Sequence, residues 1–342
     1  MRKIKAAAVL ALVVLLIAAA AGCGSQPAQQ QSQTPPAQEP AQPQEPVKLG
    51  IIQIVEHPSL DQARKGFLDV LAERGYKDGE KLAVDYQNAQ GDMTTANTIA
   101  KKFVSDQKDL VLAIATPVAQ AMANATKEIP ILITAVTDPV AAGLVQSLEK
   151  PNTNVTGTTD MNPVKEQLAL FKDLDPQAKK IGFIYNSSEV NSRVQLDMAK
   201  EAAPELGYEL VEAVVTNSSD VLQAARTLAD KVDGIYVPTD NTVVSALESV
   251  ISVAEEKDLP LVVGEGDSVK RGGLATVGID YYQLGRQTGE MAIRILEQGA
   301  KPQDMPIEAQ KEYQLILNKK AAANMGVTLS ESLLSRAAEV YE

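Results

Sequence analysis

Short apolar runs alternating with amphipathic stretches limit the fold of this chain more than any other feature. Residues 47–55 (VKLGIIQIV) are apolar and β-branched, and an amphipathic stretch over 59–74 follows, closed by Gly75. The same order continues with a strand over 82–86, a helix over 94–106, a strand over 110–115, a helix over 118–127 and a strand over 131–136. Near-continuous apolar runs mark strands covered on both faces. Strands separated by helical segments predict βαβ units and parallel sheets.

The pattern restarts after Asn162. It predicts helices over 165–172, 194–205, 221–231 and 243–257, and strands over 180–185, 209–215, 234–237, 261–263 and 274–277. Two α/β units suit a chain of 342 residues. A weak internal repeat supports the division. DLVLAIAT at 109–116 and DGIYVPT at 233–239 are both strands that end in Thr, and each leads to a helix and then a strand begun by Pro. In open parallel sheets, ligands sit at the carboxyl ends of the strands. Two such sheets across a cleft would offer equivalent loops to one ligand.

The start of the chain reads as an address. Arg2, Lys3 and Lys5 precede an uncharged apolar run over 6–21, followed by Gly22 and the sole cysteine, Cys23. This is the pattern of a secretory signal over 1–22. The Ala-Ala-Gly-Cys ending resembles the lipobox of bacterial lipoproteins, which implies lipidation of Cys23, although Ala20 stands where that pattern more often has Leu. Residues 23–46 are rich in Pro and Gln and carry no Val, Ile, Leu, Met or aromatic residue, so a disordered tether is expected. The expected product is extracytoplasmic and held to the membrane by lipid.

Composition removes several function classes. Lysine and arginine number 32 against 44 aspartates and glutamates, a net charge of −12, which argues against nucleic-acid binding. One cysteine cannot form an internal disulfide, and one histidine builds no His-rich metal site. No metal and no cofactor are expected.

Six segments in register resemble one family. They are TPVAQA at 116–121, TAVTDPV at 134–140, GTTD at 157–160, YNSSEVNS at 185–192, PTDNTV at 238–243 and GIDYYQLG at 278–285. Together they are similar to the substrate-binding lipoproteins of ABC importers in the tryptophan/tyrosine-type group, over residues 47–342. The resemblance implies an α/β type I periplasmic binding protein: two doubly wound parallel-sheet lobes joined by a three-crossover hinge. By analogy the chain crosses near Asp160, Asp280 and Lys301, giving lobe one as 47–159 plus 280–300 and lobe two as 160–279 plus 301–342. It further implies an amino-acid ligand, aromatic or hydrophobic, and delivery to an ABC permease without catalysis; a tethered monomer is the default expectation.

A zwitterion needs donors for its carboxylate and acceptors for its ammonium. Thr116, with Pro117, and Thr137 stand between a strand and a helix start, where free backbone N–H groups suit a carboxylate. Asp138, Asp160, Asp240 and Asp280 end strands; Asp160 and Asp240, beside Asn241, are the expected ammonium partners, with Asp280 supporting the hinge. Simple capping is the alternative for each. The loop carrying Asn186, Ser188, Glu189 and Asn191 is expected to close on the ligand or to be a solvated turn. Gln53, Glu56 and His57 end the first strand, and His57 is expected in the side-chain pocket. Competing functions are a ligand-sensing receptor component, a sugar or nucleoside binder, and an extracellular hydrolase. The last lacks a nucleophile-elbow or zinc motif.

Overall fold

The computed structural model describes residues 45–342. The expectations for the signal, Cys23 and nearly all of the tether lie outside the described residues. The chain runs β1 (Val47–Gln53), α1 (Pro58–Glu73), β2 (Leu82–Asn88), α2 (Met93–Ser105), β3 (Leu110–Ile114), α3 (Thr116–Ala125), β4 (Ile131–Val136) and β5 (Val155–Thr159). It continues with α4 (Val164–Ala169), α5 (Phe171–Leu174), β6 (Lys180–Asn186), α6 (Val190–Leu206), β7 (Glu209–Val215), α7 (Val221–Ala229) and β8 (Gly234–Val237). Next come α8 (Asn241–Ser245), α9 (Leu247–Glu256), β9 (Leu261–Val263), α10 (Gly266–Arg271) and β10 (Ala275–Gly278). The last part holds α11 (Tyr281–Gln298), β11 (Glu308–Ala309), β12 (Gln314–Asn318), α12 (Lys319–Asn324), α13 (Glu331–Arg336) and β13 (Glu339–Tyr341).

Two sheets result. The first is wholly parallel, in the order β2-β1-β3-β4-β5-β11. The second, β7-β6-β8-β9-β10-β12-β13, is parallel except where β12 runs against β10. Every residue of β3, β4 and β5 is buried, as strands covered by helices on both faces must be. The edge strands β2 and β7 instead keep exposed positions. Helices present their apolar stripe inward: α7 buries Val221, Ala225, Leu228 and Ala229, the spacing of one helical face. Each sheet has its own apolar core, so the molecule is two lobes.

Residues 281–298 form a long helix that the alternation of the sequence did not announce. It lies on α1 through glycines. A Cβ on Gly285 would stand 1.9 Å from the Ala63 carbonyl oxygen, and one on Gly66 would stand 2.1 Å from that of Tyr282. Only glycine permits this approach, which brings the starts of both helices to one side of the lobe.

The third crossing differs from expectation. Residues 301–309 stay with lobe one: Met305 and Ile307 are buried in its core, and β11 pairs with β5. The Ile307 amide donates to Leu148 O at 2.7 Å, and Thr156 Oγ1 donates to Met305 O at 2.8 Å. The chain enters the second sheet only at Gln314, so the crossing lies at 310–313 rather than near Lys301. There the Gln310 carboxamide clasps both backbone groups of Asp280, and Tyr313 OH donates to Met161 O. The helix expected over 243–257 is broken at Ala246, where Arg271 Nη1 takes the Val244 carbonyl at 2.9 Å.

Candidate functional site

The carboxyl ends of both sheets meet in a cleft containing two adjoining cavities. The inner one has a free volume of about 20 Å³, space for one water-sized group. Lobe one lines it with His57, Leu60, Ala135, Thr137 and Tyr281, and Asp160 stands at the first crossing. Lobe two contributes Asn191, Thr239, Asp240, Asn241, Val244 and Glu265. The outer chamber, of about 380 Å³, shares Asn241 with it and widens toward the rim. Its lobe-one wall includes the apolar Ile54, Val55, Met93 and Pro117; its lobe-two wall is made of amides and hydroxyls with the carboxylate of Glu189. Among the described residues, no lysine or arginine lines either cavity.

Asp160 is the exceptional carboxylate. Its Oδ2 accepts from Tyr281 OH at 2.5 Å, while the buried Oδ1 has no partner among the described residues. Burial raises its pKa, against the pull of the Tyr281 hydrogen bond. Two further acceptors of the inner cavity, Asn191 Oδ1 and Thr239 Oγ1, are likewise buried and unpaired.

Asp240 departs from the expected pairing with an ammonium. Its Oδ2 accepts from Asn186 N and Ser192 Oγ, both at 2.6 Å, and its Oδ1 caps α8 by accepting from Val243 N at 2.8 Å. Burial first, and then the charge of Glu189, push its pKa up. Glu189 is equally occupied: its oxygens accept from the backbone and side chains of Asn241 and Thr242 and from Asn191 Nδ2. Both carboxylates are held by neutral donors and form a prebuilt wall.

The helix starts of lobe one are different. No side chain caps α1 or α3 among the described residues; Pro58 and Pro117 occupy their first turns, and His57 and Ala115 stand at the cap positions. Thr116 Oγ1, Ser59 Oγ and His57 Nδ1 are buried without partners among the described residues. The first-turn amides of a helix have no partner within it, so an uncapped start is a set of waiting donors. Ala115 and Ala135, ending β3 and β4, hold φ of +86° and +56°, uncommon for a residue with a side chain and of a kind that clusters at functional sites. Burial, aided by the nearby Arg271, pushes the His57 imidazole down to about 3, so it is neutral in the cleft.

The other expected residues are placed as follows. Thr137, Asn191 and His57 face the inner cavity; Pro117, Asn186, Ser188 and Glu189 line the outer one. Five of the expected residues line neither cavity: Gln53, Glu56, Thr116, Asp138 and Asp280. The Gln53 carboxamide is consumed by Val55 O, Asp61 and Arg64. Glu56 is exposed. Asp138 caps its own turn through Val140 N and Ala141 N, and Asp280 caps α11 through Gln283 N. Thr239, Glu265 and Tyr281 are cavity residues that the sequence reasoning did not select. Glu265 stands two residues past the end of β9, and the strand-end rule applied to that three-residue strand would have found it.

Two parallel-sheet lobes that share a polar cleft and three crossings define a type I periplasmic-binding-like protein. The chain belongs to the family of ABC transporter substrate binding proteins, whose model matches residues 48–341. It is 53% identical to the tyrosine-binding protein of Clostridioides difficile, over 79% of this chain and 78% of that one. A Streptococcus pneumoniae ABC domain solved in complex with L-Trp is 40% identical, with a TM-score of 0.83, covering 86% of this chain and 100% of that one. A ligand-free, open substrate-binding protein with adhesive properties from Clostridium difficile is 48% identical, covering 86% and 99%, yet its TM-score is only 0.65. The less similar sequence has the more similar structure: the lobes here are arranged more like those of the L-Trp complex than like those of the ligand-free, open protein.

Proposed function

We propose that this chain is a non-catalytic receptor for one aromatic or other hydrophobic amino acid, delivered unaltered to an ABC permease. The observation that carries the reading is the inner cavity. It is the size of an ammonium group and offers three unpaired acceptors, Asp160 Oδ1, Asn191 Oδ1 and Thr239 Oγ1. Charge-assisted hydrogen bonds to such a set are strong. The carboxylate would lie against the uncapped start of α3 and Thr116, which borders the outer chamber through Pro117. The side chain would then lie on Ile54, Val55, Met93 and Pro117. Asp240 and Glu189 would hold the opposite wall in place without touching the ammonium. What the pneumococcal and clostridial relatives bind supports the class of ligand.

Closure of two lobes around a ligand is a hinge motion that a membrane partner can read. Lipidation at Cys23 would keep the protein beside that partner outside the cytoplasm, which mass spectrometry of the membrane-extracted mature N-terminus tests. Calorimetry of the purified chain with the amino acids tests binding: tight binding of an aromatic or hydrophobic amino acid, recovered chemically intact, is the expected result. Ligand turnover, or no binding by any amino acid, would reject the reading.

A further inference from the structure

The outer chamber is larger than one aromatic side chain needs, and its lobe-two rim has no part in holding a free amino acid. That rim is formed by Thr216, Asn217 and Ser218, all exposed, at the end of β7. Resting on the amino-acid reading, we propose that the cleft also binds dipeptides, the first residue seated as the free amino acid would be and the second against this rim.

Charge makes the exchange of a carboxylate for a peptide group cheap. Four carboxylates, of Asp160, Glu189, Asp240 and Glu265, line the two cavities, and no lysine or arginine faces them among the described residues. The carboxylate end of a ligand therefore meets neutral N–H and hydroxyl donors in a field that disfavours negative charge. A peptide carbonyl keeps the acceptor there and moves the ligand's negative charge out to the exposed rim. The N-terminal ammonium, which the inner cavity requires, is present in a dipeptide as in an amino acid.

The chamber also holds groups suited to a peptide unit. The Gln90 carboxamide, Gln120 Oε1 and the Ser218 hydroxyl line it, and none of them makes a hydrogen bond among the described residues; Gln120 uses only its Nε2, toward Ala142 O. They supply both an acceptor for a peptide N–H and donors for a carbonyl. Thr216 and Asn217 are tied down on Asp220 and Ser219, which fixes the rim that carries Ser218. An apolar wall opposite the neutral polar rim of Thr216, Asn217 and Ser218 suits a small second residue, with its side chain and its peptide group facing opposite ways.

Calorimetry of the full mature chain with four probes decides the matter: tyrosine, tyrosinamide, Tyr-Ala and N-acetyltyrosine. Tyrosinamide and Tyr-Ala should bind within about tenfold of tyrosine, whereas N-acetyltyrosine, lacking the ammonium, should bind at least a hundredfold more weakly. The variant Ser218→Trp, which fills the rim and removes no internal bond, should weaken Tyr-Ala at least tenfold and leave tyrosine and tyrosinamide unchanged. Tight tyrosine with no binding of tyrosinamide and Tyr-Ala would overturn the dipeptide site and leave the amino-acid reading standing. Tyr-Ala binding untouched by Ser218→Trp would also overturn it, since the second residue would then lie elsewhere. Failure of tyrosine and every other free amino acid to bind would reject both.

Discussion

The two lobes meet the same cleft with opposite surfaces. In lobe two the carboxylates near the strand ends are self-satisfied: Asp240 caps α8, Glu265 caps α10, and Glu189 binds Asn241 and Thr242. In lobe one, α1 and α3 start without side-chain caps among the described residues, and Thr116, Ser59 and His57 carry unpaired buried atoms. Lobe one presents donors at helix starts; the first crossing and lobe two present the acceptors Asp160, Asn191 and Thr239. A zwitterion would thus be oriented across the cleft, carboxylate to lobe one and ammonium to the other side. The carboxylates of lobe two arrive satisfied, whereas the helix starts of lobe one are left for what binds to complete.

The largest expected effect separates the free carboxylate from the occupied one. Asp160→Asn keeps an acceptor for Tyr281 OH and removes the one carboxylate of the inner cavity that has an unpaired oxygen. Taking away one partner of a buried charged pair costs about 2–5 kcal/mol, so an ammonium-bearing ligand should bind about 30-fold more weakly or worse. The same change should leave the unliganded protein as stable as before or more so, because an unpaired buried carboxylate is itself unfavourable. Calorimetry and thermal unfolding on one preparation check both halves. A loss of stability equal to the loss of affinity would erase the distinction between the two carboxylates.

Asp240→Ala should show the reverse priority. It strips the cap of α8 and leaves Asn186 N and Ser192 Oγ without their buried acceptor. A lost cap costs about 1 kcal/mol and each of the two orphaned buried donors about 1–3 kcal/mol; removing a carboxylate that burial and Glu189 disfavour offsets part of this, so a loss of about 2–4 kcal/mol in stability is expected. Urea unfolding should show it without ligand present. If Asp240→Ala unfolds at the wild-type midpoint and loses ligand instead, the prebuilt wall is the wrong description of lobe two.

How much of this was legible in the sequence depends on how local each cause is. The alternation of apolar and amphipathic stretches exposed the two parallel sheets because burial on both faces writes itself into consecutive residues. Asp160 and Thr137 were legible as positions because each directly follows a strand, and Asn191 because it stands in the first turn of the helix after β6. The task of Asp240 was not legible, because two of its donors lie 54 and 48 residues away, in Asn186 and Ser192. Gln53 misled for a local reason: Asp61 and Arg64, two turns into α1, turn back to take its carboxamide. The third crossing failed because β11 is two residues long and carries no periodicity. The α1–α11 contact was hidden because Gly285 and Gly289 lower helix propensity while being what lets the helices touch.

The smallest expected effect tests whether lobe one really gives up its charge on closure. His57, with an ordinary pKa of 6.5, is pushed down to about 3 where the cleft buries it beside Arg271. Asp160, Asp240, Glu265 and Tyr281 face the same cavity, and burial raises Asp160 and Asp240. When the lobes part and water enters, His57 can take a proton that closure must expel. The closed, liganded form is therefore fully favoured above pH 6.5 and loses about tenfold in affinity, about 1.4 kcal/mol, for each unit below it. Protonation of Asp160 weakens ammonium binding in the same direction, so the slope alone does not identify the group. His57→Gln separates them: the variant should hold its affinity between pH 6.5 and 5.5 where the wild type declines, and should release no proton on binding when calorimetry is repeated in buffers of different ionisation enthalpy. Equal profiles for both proteins would move the proton to the carboxylates on the opposite side of the cleft, and with it the charge that closure regulates.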